Sequence, residues 1–345
     1  MPVTEATLQA VSDDRTATDD RIDQVTRDLT AAWATSWTAQ DAQFASVLAG
    51  LIAVAAAWPT RRQIATSFRL QIAFAVAQQS FARLAARAAD LIGTAADAAA
   101  RSAAAAQARM IVSQLPPGVT LADGVAELSD DDIAAIARRA RKAAAETLAT
   151  MPEQVTDAIR AEIIRGHRSA DPRRAIEQVL ASAQQYSSAA LARVLLVART
   201  EIMDAHRAAA QAAQDTAAEL LDGWAWISRL DTDVCPSCWA LHGTTYPLSE
   251  PGPLDHPAGR CRRVPVVKPW ADLGLPGTEL ADATPDAEAI FRALPRADQL
   301  RIMGPGRLHL LDTGQVAWAD LARRRDNPGW RPSWSVVPLK ELRRT

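Results

Sequence analysis

The chain has 345 residues, 48% of them hydrophobic but only 5% aromatic, and carries 38 Lys+Arg against 40 Asp+Glu for a formal net charge of −2. That length holds two or three domains with sizeable cores, and the near balance of charge excludes a uniformly basic or acidic molecule, although residues 1–42 lean acidic and 323–345 lean basic. Much of the apolar content is alanine, which gives up no side-chain entropy in a helix and offers little to a pleated surface, so the expected fold class is mainly α, with long helices in the N-terminal two thirds.

Residues 4–57 read as one helix with Trp33 and Trp37 on one face, and Pro59 interrupts before a second helix over about 61–113. The apolar run from Phe44 to Trp58 is shorter than the roughly twenty residues of a membrane span and is followed by Pro59 and Arg61-Arg62, so a buried core helix is expected and no membrane partner. With no signal peptide in view, the expected compartment is a cytoplasm. Phe74, Phe81, Leu84, Ala88 and Leu91 recur at helical spacing as an apolar stripe. Leu115-Pro-Pro-Gly118 ends this N-terminal helical region, 1–115.

A helical domain is expected over 116–222. Ser129 is placed to cap a helix whose first turn holds Asp130, Asp131 and Asp132, and Asp171-Pro172 opens another. The longest element of this half runs over about 187–220, with Leu191, Val194, Leu195, Ala198, Ile202 and Ala205 as one seam. On it, Arg199 and Glu201 diverge too far to serve one small ligand, and an inter-helix ion pair is the plainer role. His167 and His206 stand without a nearby nucleophile and read as incidental.

The third segment, 223–270, gathers every cysteine. Trp224-Ala-Trp226-Ile alternates like a short strand, Asp231-Thr-Asp233 turns, and Cys235-Pro-Ser-Cys238 follows. Gly243 and four prolines mark an irregular loop to His256, and Cys261 closes the run before a strand around 264–267. Two thiolates two residues apart, joined by a returning imidazole and a third thiolate, make a tetrahedral set, and zinc is the expected ion. His242 competes with His256 as the nitrogen ligand. A disulfide would leave one of three cysteines over, and chance clustering is the remaining alternative. Four protein ligands leave no open position for water or substrate, so the Zn2+ is expected to be structural and the protein not an enzyme. Nucleobase deaminases also carry P-C-x-x-C, but no H-x-E precedes it here. The fold class thus gains a small zinc-stapled α+β module. The last segment, 271–345, reads as a linker to 286, a short helix at 287–294 and an irregular C-terminal tail. Its basic residues and Trp318, Trp330 and Trp334 suit nucleic acid, a protein groove or packing on the protein's own body.

The order Ala198-Arg199-Thr-Glu201, Trp224-Ala-Trp226, Asp231, Cys235-x-x-Cys238, Leu241-x-Gly243, His256-Pro257 and Arg260-Cys261 resembles the phage minor head proteins of the Mu F-like, or SPP1 gp7-like, head-morphogenesis family over about 185–268. Phe291, Leu294, Gln299, Met303-Gly304, Leu310 and Gly314 resemble the segment that often follows. Two positions depart from the family pattern: Gly259 stands where members often carry a further cysteine, and His242 stands where an acidic residue is usual. The resemblance implies a structural protein of the virion, in the capsid interior or at the portal vertex, made in the host cytoplasm. It also implies portal, major capsid or scaffold protein as partners, and contact with packaged double-stranded DNA. The other reading is a DNA-binding protein that uses the zinc module and the basic tail.

Overall fold

The computed structural model describes residues 3–55, 57–166, 171–328 and 331–343; His167 and Trp330 lie outside them. The protein is mainly helical with a few small strands. It divides into two compact units whose segments alternate along the chain. One comprises Met1–Asp19, Asp97–Ile136 and Met203–Thr345; the other comprises Asp20–Ala96 and Ala137–Ile202. Helices α1 (Glu5–Ala55), α3 (Phe68–Val112), α4 (Asp130–Leu148) and α6 (Pro172–Thr216) each supply residues to both.

Among the described residues, the regular structure of the two-segment unit is helical. α1 ends at Ala55, and after Pro59 the Thr60 side chain and Gln63 form a reciprocal capping box that starts α2 (Arg61–Thr66). The single helix expected over 61–113 is therefore two, because Ser67 is extended and its hydroxyl accepts the Leu70 amide, capping α3. Large side chains lock α1 to α3: Trp33 meets Phe81 and Phe44 meets Phe74, each at 5.5 Å between centroids. The Trp33 indole donates to Ser187 of α6 at 2.9 Å, and Arg160 of α5 (Met151–Arg165) lies 4.8 Å over the Phe74 ring.

Ser129 caps α4 as its sequence predicts, accepting the Asp132 amide at 3.1 Å, and Asp171 accepts the Arg173 amide at 2.9 Å at the head of α6. α6 then runs unbroken for 45 residues, since no breaker follows Pro172.

In the three-segment unit the sheet is β2 (Thr245–Tyr246), β1 (Leu221–Ile227), β3 (Arg262–Val267), all antiparallel. Successive side chains of a strand point to opposite faces, and β1 buries both. Trp224 and Trp226 enter one core with Cys238, Trp239, Cys261 and Phe291, while Ala225 and Ile227 enter another with Val11, Met110, Val264 and Val266. β3 is an edge strand, which is why Pro265 is tolerated there. Its open edge is served by two glutamines, one in α3 and one in the turn just past its end. Gln107 donates to the Arg263 carbonyl at 3.0 Å; Gln114 donates to the Pro265 carbonyl at 2.8 Å and accepts the Val267 amide at 3.0 Å.

The tail is more ordered than its sequence suggests. α8 (Ala287–Ala293) appears as expected, but α9 (Arg296–Asp312) and a hairpin of β4 (Ala322–Arg325) and β5 (Ser333–Val336) follow, then α10 (Leu339–Leu342). Gly304-Pro305-Gly306 reads as a helix breaker; here Gly304 takes φ 71 and ψ 160 as a kink, and the helix restarts with Pro305 in its first turn. Trp318 packs 5.3 Å from Phe291, and Trp334 lies against the same core.

Candidate metal centre

β1 leads through Ser228 into a turn in which the Asp233 amide donates to Asp231 Oδ1 at 3.0 Å. Cys235 is the residue before α7 (Pro236–Leu241) and Cys238 sits in its first turn, so the short helix sets the spacing of the two sulfurs. The chain returns through β2 and a proline-rich loop to a turn closed by the Gly259 amide on the His256 carbonyl at 3.0 Å. Arg260 then lays both guanidinium nitrogens on Asp231, at 2.9 and 2.6 Å. This fork fastens the returning loop to the turn that precedes the first two cysteines.

Cys235, Cys238 and His256 bring one ligand atom each to within 4.8 Å of one another. All three cysteines are free thiols. Cys261 is outside that three-way group but shares a hydrogen bond with Cys238, and its Sγ lies 3.5 Å from Ser228 Oγ. His242 is directed elsewhere: its Nδ1 accepts the Ser228 amide at 3.1 Å, and burial followed by the Arg15 charge pushes the ring down to about 4.

The electrostatics of the cluster suit a cation. A hydrogen bond from Cys238 holds the Cys235 thiol down, to about 4, against its burial, and the bond to Cys235 raises His256 to about 9. Cys238, sharing hydrogen bonds with both other thiols in a buried place, is pushed up. Three sulfurs and an imidazole therefore crowd around negative charge that they share through protons. His256 Nδ1–H donates to the Pro257 carbonyl at 2.9 Å, which leaves Nε2, the atom that shares its proton with Cys235, as the one that would ligate once that proton is displaced, an arrangement common among metal-binding histidines. The donor set fits a thiophilic ion of tetrahedral habit.

Beneath the cluster lies a buried ionic layer. Asp14 of α1 accepts from His206 Nε2 at 2.9 Å to each oxygen and from Arg262 Nε at 2.9 Å, and both Asp14 and Arg262 are buried. Burial acts to raise the Asp14 carboxyl, but the hydrogen bonds from His206 and Arg262 and the Arg262 charge outweigh it and hold it below the ordinary carboxylate range. Burial pushes His206 the other way, down, so the ring is neutral and donates to Asp14. Alongside, Asp255 Oδ2 accepts from Arg207 at 2.7 Å and from the Cys261 amide at 3.2 Å, while Arg331 reaches Asp204 at 2.9 Å and the Asp255 carbonyl at 3.0 Å. Asp255 thus ties Cys261 to α6. His206 is part of this layer and not incidental, yet no local pattern announces it, because its partner lies 192 residues away.

The family model described as phage Mu protein F like protein matches residues 153–264. That is about a third of the chain, and it includes Cys235, Cys238, His256 and Cys261. No curated protein and no solved structure matches the chain. The matched stretch supports a Mu F-like phage head morphogenesis protein.

Proposed function

From the Mu F-like stretch, we propose that this is a minor head protein that takes part in procapsid assembly at or near the portal and resides in the virion. The observation that carries the reading is that one segment, 153–264, both matches the family and contains the whole Cys/His set. Portal protein, major capsid protein or scaffold are the partners this reading calls for. Helical surface is plentiful, and among the described residues no helix is long and apolar enough to cross a membrane.

In this reading Cys235, Cys238 and His256 hold structural zinc, with Cys261, already beside Cys238, as the fourth ligand. His242 is the weaker nitrogen donor, since its Nδ1 is committed to Ser228. Bound zinc supplies cross-linking and no chemistry, because a Cys3His shell leaves it no open position, and the protein is not an enzyme. The loop from Pro247 to Arg260 has little apolar material of its own, so the metal would carry much of its stability, on the order of 10 kcal/mol as a binding free energy.

The alternative, a DNA-binding protein using the basic tail, has less support. Arg323 pairs with Glu341, Arg324 with Glu250 at 2.6 Å, and Arg331 with Asp204 at 2.9 Å, so much of the tail's positive charge is spent internally.

Two measurements test the proposal. Elemental analysis of purified protein should give one zinc per chain, with Cys238→Ser losing it and melting at lower temperature; a metal-free chain that melts the same would remove the staple. Co-sedimentation with portal and capsid subunits of the same phage should recover the chain in assembled particles. Failure to associate at any salt concentration would remove the assembly role.

A further inference from the structure

On the proposed reading that the chain assembles with other head proteins, the remaining question is which surface does so. The helical hairpin of α1 and α3 offers one. Between residues 42 and 89 the sequence has no Asp or Glu but five arginines, at 61, 62, 69, 83 and 87, all exposed. No ion pair engages any of the five among the described residues. The same stretch exposes large apolar side chains: Phe68 is 77% exposed, Ile72 43% and Val76 39%. At roughly 100° per residue, Phe68, Ile72, Val76, Ser80, Arg83 and Arg87 fall within an arc of about 120°, one face of α3.

That face runs into an open groove of about 710 Å³, between Val76, Ser80, Arg83 and Arg87 of α3 and a floor on α1 of Ala31, Ala32, Thr35 and Ala39. Small residues on the floor leave room for a backbone to lie close, and Val76 and Leu84 give it apolar walls. Asp28 is the one carboxylate that lines it.

We infer that this groove and the Phe68–Ile72–Val76 stripe form a docking surface for an acidic amphipathic helix of a partner head protein. The charge decides the partner's sign: five exposed cations without a carboxylate over 48 residues reward an acidic segment. The same charges oppose a second copy, which would bring its own five cations to the contact. The concave, apolar-walled shape fits a helix laid in by its apolar face. A phosphate backbone gains nothing from Phe68 or Ile72, and a flat lipid surface does not fill a groove.

The test places a photo-crosslinker in the full-length chain, as Ile72→p-benzoylphenylalanine, with Leu300→p-benzoylphenylalanine on an exposed part of α9 as a control. Each protein is co-assembled with the head proteins of the same phage, irradiated, and the joined peptides are identified by mass spectrometry. Position 72 is expected to join a segment of net negative charge with apolar residues at helical spacing. Adding Arg83→Glu and Arg87→Glu, with helicity checked by circular dichroism, should cut the yield about tenfold. Crosslinks from position 72 to a second copy, to a basic or uncharged segment or to DNA overturn the inference, as does sedimentation with anionic vesicles through the same residues. Crosslinks from position 300 alone refute this surface while leaving the assembly role standing. No crosslink from either position, together with no co-assembly, removes both.

Discussion

At Gly259 an added Cβ would stand 2.0 Å from Asp255 Oδ2, the oxygen that holds both Arg207 and the Cys261 amide. Gly259→Ala must therefore push a buried carboxylate off its partners, and it is expected to cost about 2–3 kcal/mol in denaturant melts. A second residue-scale prediction concerns pH. The folded protein holds His206 below its ordinary value, so the unfolded chain binds the proton more readily. The stability contributed by neutral His206 is complete above the unfolded value of about 6.5 and is lost as pH falls below it. His206→Gln, whose amide still donates to Asp14, should flatten the fall of melting temperature between pH 7 and pH 5; an unchanged slope would exclude His206 as its source. The cysteine cluster was legible at this scale because its members lie close in sequence and their spacing carries chemistry. Asp14 and Arg262, 248 residues apart, leave no such trace.

Among the elements, Gln107 of α3 and Gln114 in the turn that follows it together occupy the free edge of β3. An exposed edge invites pairing with another chain, so these side chains protect as well as fasten. Gln114→Leu leaves the Pro265 carbonyl and the Val267 amide without this partner. A loss of about 2 kcal/mol is expected in thermal melts, with higher-order species on size-exclusion chromatography. Helix starts were readable at Ser129 and Asp171, where a side chain caps the backbone. Ser67 was readable in principle but outweighed by the apolar stripe that follows it, Phe74 to Leu91. α9 was hidden by Gly304-Pro305-Gly306, whose local signal is a break and whose effect in a packed core is only a kink.

For the whole molecule, alanine content was enough to indicate a mainly helical protein, since it acts through local propensity. The interleaving of units was not legible, because it depends on which distant surfaces bury one another. One unit joins the first nineteen residues to the sheet, and Asp14 supplies the carboxylate facing buried Arg262. Deleting residues 1–19 is expected to destabilise that unit by about 3–5 kcal/mol or more, seen as an early transition in hydrogen exchange over β3 and the Cys/His loop. A uniform exchange pattern in the deleted protein would contradict this.

That pairing also has a history during translation. The ribosome releases Asp14 long before Arg262, and at ordinary elongation rates the wait is on the order of ten seconds or more. For most of it, the leading end of α1 can meet only the 106–113 stretch, with Val3 and Val11 still lacking the strand that will cover them. Newborn chains are therefore the vulnerable ones, and chaperone demand should end abruptly once β3 clears the exit tunnel.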